Sequence, residues 1–232
     1  MLTRVLAVDT TSAHGSLALL EGEELIGILG FRTARPRHAE NLLPSIEALL
    51  AGVEKTIQDV EAFAVAIGPG SFSGLRVGIA AVEGLAYSLD RPAVGVSTLD
   101  ATAHRFRRRR GLIVALAGAY RGDVYGRYYT SDGERAIPGG EPRCVAPERF
   151  LDELPESPEL IAGSAILKHR ALLEARYPEG VTLEEPSLFI AEEIARLGAK
   201  MLARGERAPL GGLDALYIRP SDAQLNQKDA TS

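Results

Sequence analysis

The chain has 232 residues, 46% of them hydrophobic and 25% charged, with a formal net charge of -5. These values fit a globular protein of one large or two small domains and exclude one that grips nucleic acid over a broad basic surface. The single cysteine, Cys144, excludes an intrachain disulfide and a thiolate metal cluster.

The opening MLTRVLAVDTT has too short an apolar run for a signal peptide. No stretch reaches the ~18–20 apolar residues that span a membrane, so a reducing, cytoplasmic location without membrane contact is expected. Arg4 to Val8 reads as a buried first strand. It ends in Asp9-Thr10-Thr11-Ser12, a cluster of short polar side chains. Such a cluster suits phosphate, held by hydroxyls and N–H groups, or a divalent cation on Asp9. A locally satisfied Asx or Ser/Thr turn accounts for it equally well. Gly15 to Leu20 and Leu25 to Phe31 read as the next two strands, joined by a hairpin turn at Glu21 to Glu24.

A helix follows from His38 to Leu50, with Leu42, Ile46, Leu49 and Leu50 as its apolar stripe. Pro44 inside it predicts a kink or a late start. His38 has Leu42 four residues on instead of a second ligand, so it reads as a polar contact at an interface or cleft edge, not as a metal ligand. Arg32, Arg35 and Arg37 form a small positive loop before it. Gly52 to Asp59 reads as a loop with a short helical turn.

The stretch Val65 to Ser88, VAIGPGSFSGLRVGIAAVEGLAYS, organises the rest of the chain. Phe63, Val65 and Ile67 alternate with Ala64 and Ala66, which predicts a strand. Gly68 to Gly74 forms a tight turn. From Leu75 the period becomes helical, with Leu75, Ile79, Val82, Ala86 and Leu89 on one face. Strand, glycine turn and helix N-terminus together make a place where N–H groups face an anion, or a plain strand-to-helix turn capped by Ser71 or Ser73. Gly78, Ala80, Ala81 and Gly84 leave the helix thin enough for another helix to approach, which favours packing on a partner as well as on its own sheet.

Pro92 to Val96 predicts another strand, and Ser97 caps a helix from Thr98 to Phe106 with Asp100 as the acidic half of a capping box. The first hundred residues thus read βββαβαβα, a mixed sheet covered by helices. The basic run Arg105 to Arg110 reads as a solvated helix end or a contact for RNA phosphate or an acidic partner protein. Strands are then expected at Gly111 to Ala117, Gly122 to Tyr129 and Leu160 to Ala162, with irregular chain from Pro138 to Pro147. Helices are expected from Pro147, at His169 to Arg176 and at Ser187 to Ala203. The small-residue turn Gly163-Ser164-Ala165 echoes the Gly68 turn. Gly211 to Pro220 reads as an extended closing segment. The division expected is an N-terminal α/β lobe over 1–104, a smaller α/β lobe over 105–220 whose last helix or tail returns to the first, and a flexible tail over 221–232.

Catalytic motifs are missing. The glycine turn has no GK[ST] for a P-loop and no GxSxG elbow, and the first strand lacks GxGxxG. No His pairs by sequence with Ser71 or Ser73, and no acid stands as a partner for Asp9.

At GPGSFSGLRVG, Gly68 to Gly78, the chain resembles the bacterial TsaB (YeaZ) family, whose usual motif reads GPGSFTGLRIG. LAVDTTSAHGSLAL from Leu6, HAENLLP from His38 and ALYIRP from Ala215 match the family's other stretches, so the likeness covers nearly the whole chain. One departure is GAYRGDVY from Gly118, where the family's DARxxEVY has Asp and Arg at the positions of Gly118 and Tyr120. The resemblance implies a two-lobed actin/Hsp70-like (ribonuclease H-like) α/β fold, related to the glycoprotease-like TsaD. It also implies a non-catalytic subunit that pairs with TsaD, helps recruit the ATPase TsaE and meets tRNA through that complex. TsaD forms N6-threonylcarbamoyladenosine at position 37 of tRNAs reading codons that begin with A. The partner surface implied is His38, Leu42 and Ile46 on one helix and Leu75, Arg76, Ile79, Ala80, Glu83 and Gly84 on the other, used for a homodimer when the chain is alone. No cofactor or metal is expected on this chain itself, although ATP or ADP with Mg is compatible with the complex. Any phosphate or nucleotide site falls on Asp9, Thr10, Ser12, Gly68, Gly70, Ser71 and Gly74. The alternative is a nucleotide-dependent kinase or hydrolase of the same fold using that site.

Overall fold

In the computed structural model, which describes residues 4–12, 14–32, 38–185, 190–209, 211–216 and 218, the first sheet is built on an alternation of large and small side chains. Strand β1 (Arg4–Asp9) pairs in parallel with β4 (Ala62–Gly68), and β4 with β5 (Ala93–Ser97). On the other side of β1, β2 (His14–Glu21) and β3 (Glu24–Arg32) add an antiparallel meander, giving the order β3-β2-β1-β4-β5. Successive residues of a strand point to opposite faces. One face therefore carries Leu6, Val8, Phe63 and Val65 under helices α1 (His38–Gly52) and α2 (Phe72–Leu89). The other carries Ala7, Ala18, Ala62, Ala64 and Ala66 under α6 (Ala191–Ala203).

The second sheet repeats this connectivity. Strands β6 (Gly111–Gly118), β7 (Val124–Ser131) and β8 (Ala136–Pro138) form an antiparallel meander. Strands β10 (Leu160–Ala162) and β11 (Thr182–Glu184) continue in parallel on the far side of β6. Strand β9 (Arg143–Val145) pairs with the start of β7, beside the same edge that β8 occupies further along. Helices α4 (Pro147–Asp152) and α5 (Ile166–Arg176) cover one face around Val114, Leu116, Phe150 and Ile166. Helix α3 (Thr98–Arg105) covers the other through Leu99 and Ala103.

The two halves exchange their last helices. Helix α3 follows β5 but lies against β6 and β7, while α6 follows β11 but lies on β1, β2, β4 and β5. The two helices also touch each other. At that contact His104 of α3 bonds Glu193 of α6, and the Arg107 guanidinium stands 3.6 Å from the same carboxylate. Both His104 and Glu193 are buried. Asp100 joins α3 to β7 by accepting from Tyr129 Oη at 2.6 Å and Arg127 Nη1 at 3.1 Å. Burial, then the Asp100 charge, pushes the Tyr129 phenol above its usual range, so it stays a neutral donor.

Several expectations from sequence shift. Helix α2 begins at Phe72, three residues before Leu75, because the Ser71 hydroxyl caps it by accepting from Gly74 N. Asp100 is not the acid of a capping box: Ser97 Oγ accepts from Asp100 N, but the carboxylate turns to Tyr129 and Arg127. Strand β7 starts at Val124 instead of Gly122, because Arg121 and Gly122 take positive φ in a 3-10 turn. The segment Pro138 to Pro147, expected to be irregular, holds β9, with Cys144 at its centre. Helix α5 starts at Ile166, and α6 at Ala191 with Ile190 in the cap position, while residues 187–189 lie outside the described residues. Pro44 does not delay α1, which runs through it from His38. Among the described residues no helix is long and apolar enough to cross a membrane.

Gly198 of α6 sits where an added Cβ would meet Ala64 Cβ at 2.5 Å. Gly198→Val is expected to lower unfolding stability by about 1–3 kcal/mol through overpacking. Gly84→Ala, on a helix position with open space around it, is expected to raise stability by about 0.5–1 kcal/mol. Urea unfolding of the two variants checks the contrast. A second expectation concerns pH. Burial works to raise the Glu193 pKa, but its bond to His104 and the charges of His104 and Arg107 leave it lowered. Its stabilisation is therefore present above the ordinary glutamate value and lost as pH falls through the folded one. The deficit of Glu193→Gln in urea midpoint at pH 7 should shrink as the pH is taken below the ordinary glutamate range.

Candidate functional site

The carboxyl ends of β1, β4 and β6 open into one cleft, the usual place for a ligand in a fold of this kind. It holds about 210 Å³ and is lined by Asp9, Thr11, Ser12, Pro69 and Gly70 from the first half, with Thr98 and Thr102 of α3. Leu116, Ala117, Ser164 and Glu185 close it from the second half. Of the residues expected to hold a nucleotide or phosphate, Asp9, Ser12 and Gly70 line the cleft. Thr10 stands beside it in the β1–β2 turn, Gly68 at the end of β4, Ser71 at the N-cap of α2 and Gly74 in the first turn of α2.

These turns bind each other. Asp9 Oδ1 accepts from Thr11 N at 2.9 Å and from Thr11 Oγ1 at 2.7 Å. Thr10 Oγ1, fully buried, donates to Gly74 O at 2.8 Å. Ser71 N donates to Thr11 O at 2.7 Å. Ser12 Oγ donates to His14 O at 2.9 Å and lies 3.1 Å from His14 N, whose proton it accepts. The glycines make this contact sterically feasible, since a Cβ on Gly74 would fall 1.9 Å from Thr10 O and one on Gly70 2.6 Å from Thr11 O. Gly68 takes φ 102°, open to glycine at little cost, and Gly163 at the matching end of β10 takes φ 138°.

Cleft chemistry is limited accordingly. Glu185, the other lining carboxylate, accepts from Arg170 Nη2 at 3.0 Å. Thr98 Oγ1 is buried and has no hydrogen-bond partner among the described residues, so it is available to an occupant. A cavity of this size is under the ~300–1,000 Å³ common for small-molecule pockets. Among the described residues no three His, Cys, Asp or Glu side chains converge as metal ligands do. Sequence reasoning did not place Thr98 and Thr102 here; their i, i+4 spacing on α3 was the available signal.

The residues expected to meet a partner divide into two sets. Leu42, Ile46, Leu75 and Ile79 are buried in the first core, at 1%, 2%, 3% and 8% exposure, and are corrected from surface to core. Their apolar period is what turns them inward. Arg76, Ala80 and Gly84 are exposed on α2, in line with Phe72 and Tyr87, which are 49% and 69% exposed. The Arg76 guanidinium lies 4.0 Å over the Phe72 ring. Leu43 adds an exposed apolar side chain on α1. Glu83 is half-buried and accepts from Leu213 N at 3.0 Å, tying the closing segment to α2. The His38 side chain lies outside the described residues.

A family model described as "TsaD: tRNA N6-adenosine threonylcarbamoyltransferase" matches residues 31–196. The "tRNA threonylcarbamoyladenosine biosynthesis protein TsaB" of Escherichia coli (strain K12) is 26% identical over 93% of this chain and 94% of that one. The protein of the same name from Bacillus subtilis (strain 168) is 32% identical over 73% of this chain and 75% of its own. A solved structure titled "YeaZ from Pseudomonas aeruginosa" superposes with a TM-score of 0.74 at 28% identity, covering 94% of this chain and 99% of that one. The (R)-2-hydroxyglutaryl-CoA dehydratase component A of Acidaminococcus fermentans, at TM-score 0.52 and 12% identity over 87% of this chain and 99% of that one, shares the fold.

Thr10→Val, which deletes the buried hydroxyl that joins the two turns, should cost about 1–2 kcal/mol in urea unfolding. Ser73→Ala, on an exposed hydroxyl, should stay within about 0.5 kcal/mol.

Proposed function

Because the chain belongs to the TsaB family of tRNA threonylcarbamoyladenosine biosynthesis proteins, within the reach of the wider TsaD family model, we propose that it is the non-catalytic partner subunit of a complex that forms N6-threonylcarbamoyladenosine at position 37 of tRNA. In this reading it acts in the cytoplasm, pairs with a TsaD-like catalytic subunit and helps recruit a TsaE-like ATPase. It meets tRNA only through the assembly.

The exposed stripe Phe72, Arg76, Ala80, Gly84 and Tyr87 carries the proposal. Its spacing repeats every three or four residues, so these side chains share one helix face. Aromatic rings and an arginine at the ends with small residues between them suit a helix that packs closely and anchors at both ends. The same face takes a second copy of this chain when the catalytic subunit is absent. The cleft supports the non-catalytic half of the proposal: Asp9 and Glu185 are already bonded to Thr11 and Arg170.

Size-exclusion chromatography of the chain with a TsaD-like subunit tests the pairing. Ala80→Arg and Tyr87→Ala are expected to abolish or weaken co-elution while leaving the circular dichroism spectrum and thermal midpoint near wild type. Co-elution unchanged in both variants would show that this face is not the interface. Threonylcarbamoyl transfer to tRNA by the isolated chain would show that the subunit is itself catalytic.

A further inference from the structure

A second concavity lies at the opposite end of the first sheet from the cleft. Its floor is apolar, formed by Val5 of β1, Leu20 of β2, Ala62 of β4 and Pro92 before β5, with Leu202 of α6 beside them. It holds about 630 Å³, within the ~300–1,000 Å³ of small-molecule pockets. Four basic side chains line it, Arg107, Arg196, Lys200 and Arg207, against one lining carboxylate, Glu23. For a chain of net charge -5 this is a local concentration of positive charge.

Two of these cations are matched. Arg196 bonds Glu192, and Arg107 faces Glu193. Lys200 and Arg207 make no ion pair among the described residues. Lys200 Nζ instead lies 3.2 Å from His104 Nε2. Arg207 is held at the rim by its neighbour, Ala208 N donating to Ala93 O at 2.9 Å. We propose that this groove binds an organic phosphate of mononucleotide size, its ring on the apolar floor and its phosphates between Lys200, Arg207 and Arg107.

Partial burial, then the Arg107 charge, holds the Lys200 ammonium below its usual range, with Arg135 and Arg196 adding to the effect against the pull of Glu193. Like charges gathered in excess of their counterions are relieved by a polyanion. The groove uses none of the cleft residues and none of the α2 stripe.

Isothermal titration of the full chain with ADP at low salt tests the assignment, with a short single-stranded oligoribonucleotide titrated in parallel. ADP is expected to bind, and Lys200→Gln and Arg207→Gln are each expected to weaken it by about tenfold or more, the loss of one charge-assisted phosphate contact. Arg149→Gln, on an exposed arginine of α4 outside the groove, is expected to leave the affinity unchanged. Absence of ADP binding, or affinity retained in both groove variants, overturns the proposal. So does binding of the oligoribonucleotide without binding of ADP, which makes the groove a backbone contact instead.

Discussion

A helix lies flat on a sheet at close range only where both surfaces carry little bulk, and α6 does so on β4. The sheet contributes Ala62, Ala64 and Ala66, and the helix contributes Gly198 directly over Ala64. Because α6 comes at the far end of the described chain, this contact closes the first core only after the second sheet has been traversed. Helix α3 makes the reciprocal crossing, with Ala101 turned to the first core and Leu99 and Ala103 to the second. Each half thus depends on a helix supplied across the joint. The buried polar groups at the joint, His104, Glu193 and Tyr129, are bonded because burial leaves them no water, Tyr129 to the half-buried Asp100.

The same economy of bulk explains the glycine turn. Its composition invites a phosphate cradle, yet Gly70 and Gly74 are crowded by Thr10 and Thr11 instead of opening onto space. The amides and hydroxyls of the two turns answer one another through Thr10 Oγ1 to Gly74 O and Ser71 N to Thr11 O. A motif that reads as a ligand loop here works as a clasp between the first strand and the second helix. Gly163 at the end of β10 shows the same device in the second half, where a Cβ would fall 1.9 Å from Leu116 O.

The strands of the first sheet were legible because Phe63, Val65 and Ile67 alternate with alanines, and α2 because Leu75, Ile79, Val82 and Ala86 follow a helical period. Strands β8, β9 and β11 have three residues each, too few to show a period, and exist through pairing with distant chain. The outward face of α2 was legible only in part, for a different reason. Apolar residues at helical spacing mark the core, so Leu75 and Ile79 lie inward, and the surface is left to Arg76, Ala80 and Gly84, which the sequence singled out, and to Phe72 and Tyr87, which have no polar contrast to reveal them. Which polar groups of the cleft are free is a matter of three-dimensional bonding. Asp9 looks available in sequence and is held by Thr11, while Thr98 looks like an ordinary helix residue and is unpartnered.

The two ends of the first sheet differ in how their polar groups are satisfied. At the carboxyl end, where a fold of this kind ordinarily binds its ligand, neighbouring side chains bond one another around a space of about 210 Å³. At the amino end, four cations stand around about 630 Å³, and two of them, Lys200 and Arg207, make no ion pair among the described residues. These cations come from the turn after α3, from α6 and from the segment after α6, positions separated by up to a hundred residues, so no local pattern announces them. The helix exchange that completes the two cores is also what assembles them: α3 brings Arg107 across to meet Lys200 on α6, and the His104–Glu193 bond that fastens the helices sets the His104 ring against Lys200. The charge at that end therefore follows from the packing constraint that holds the two halves together.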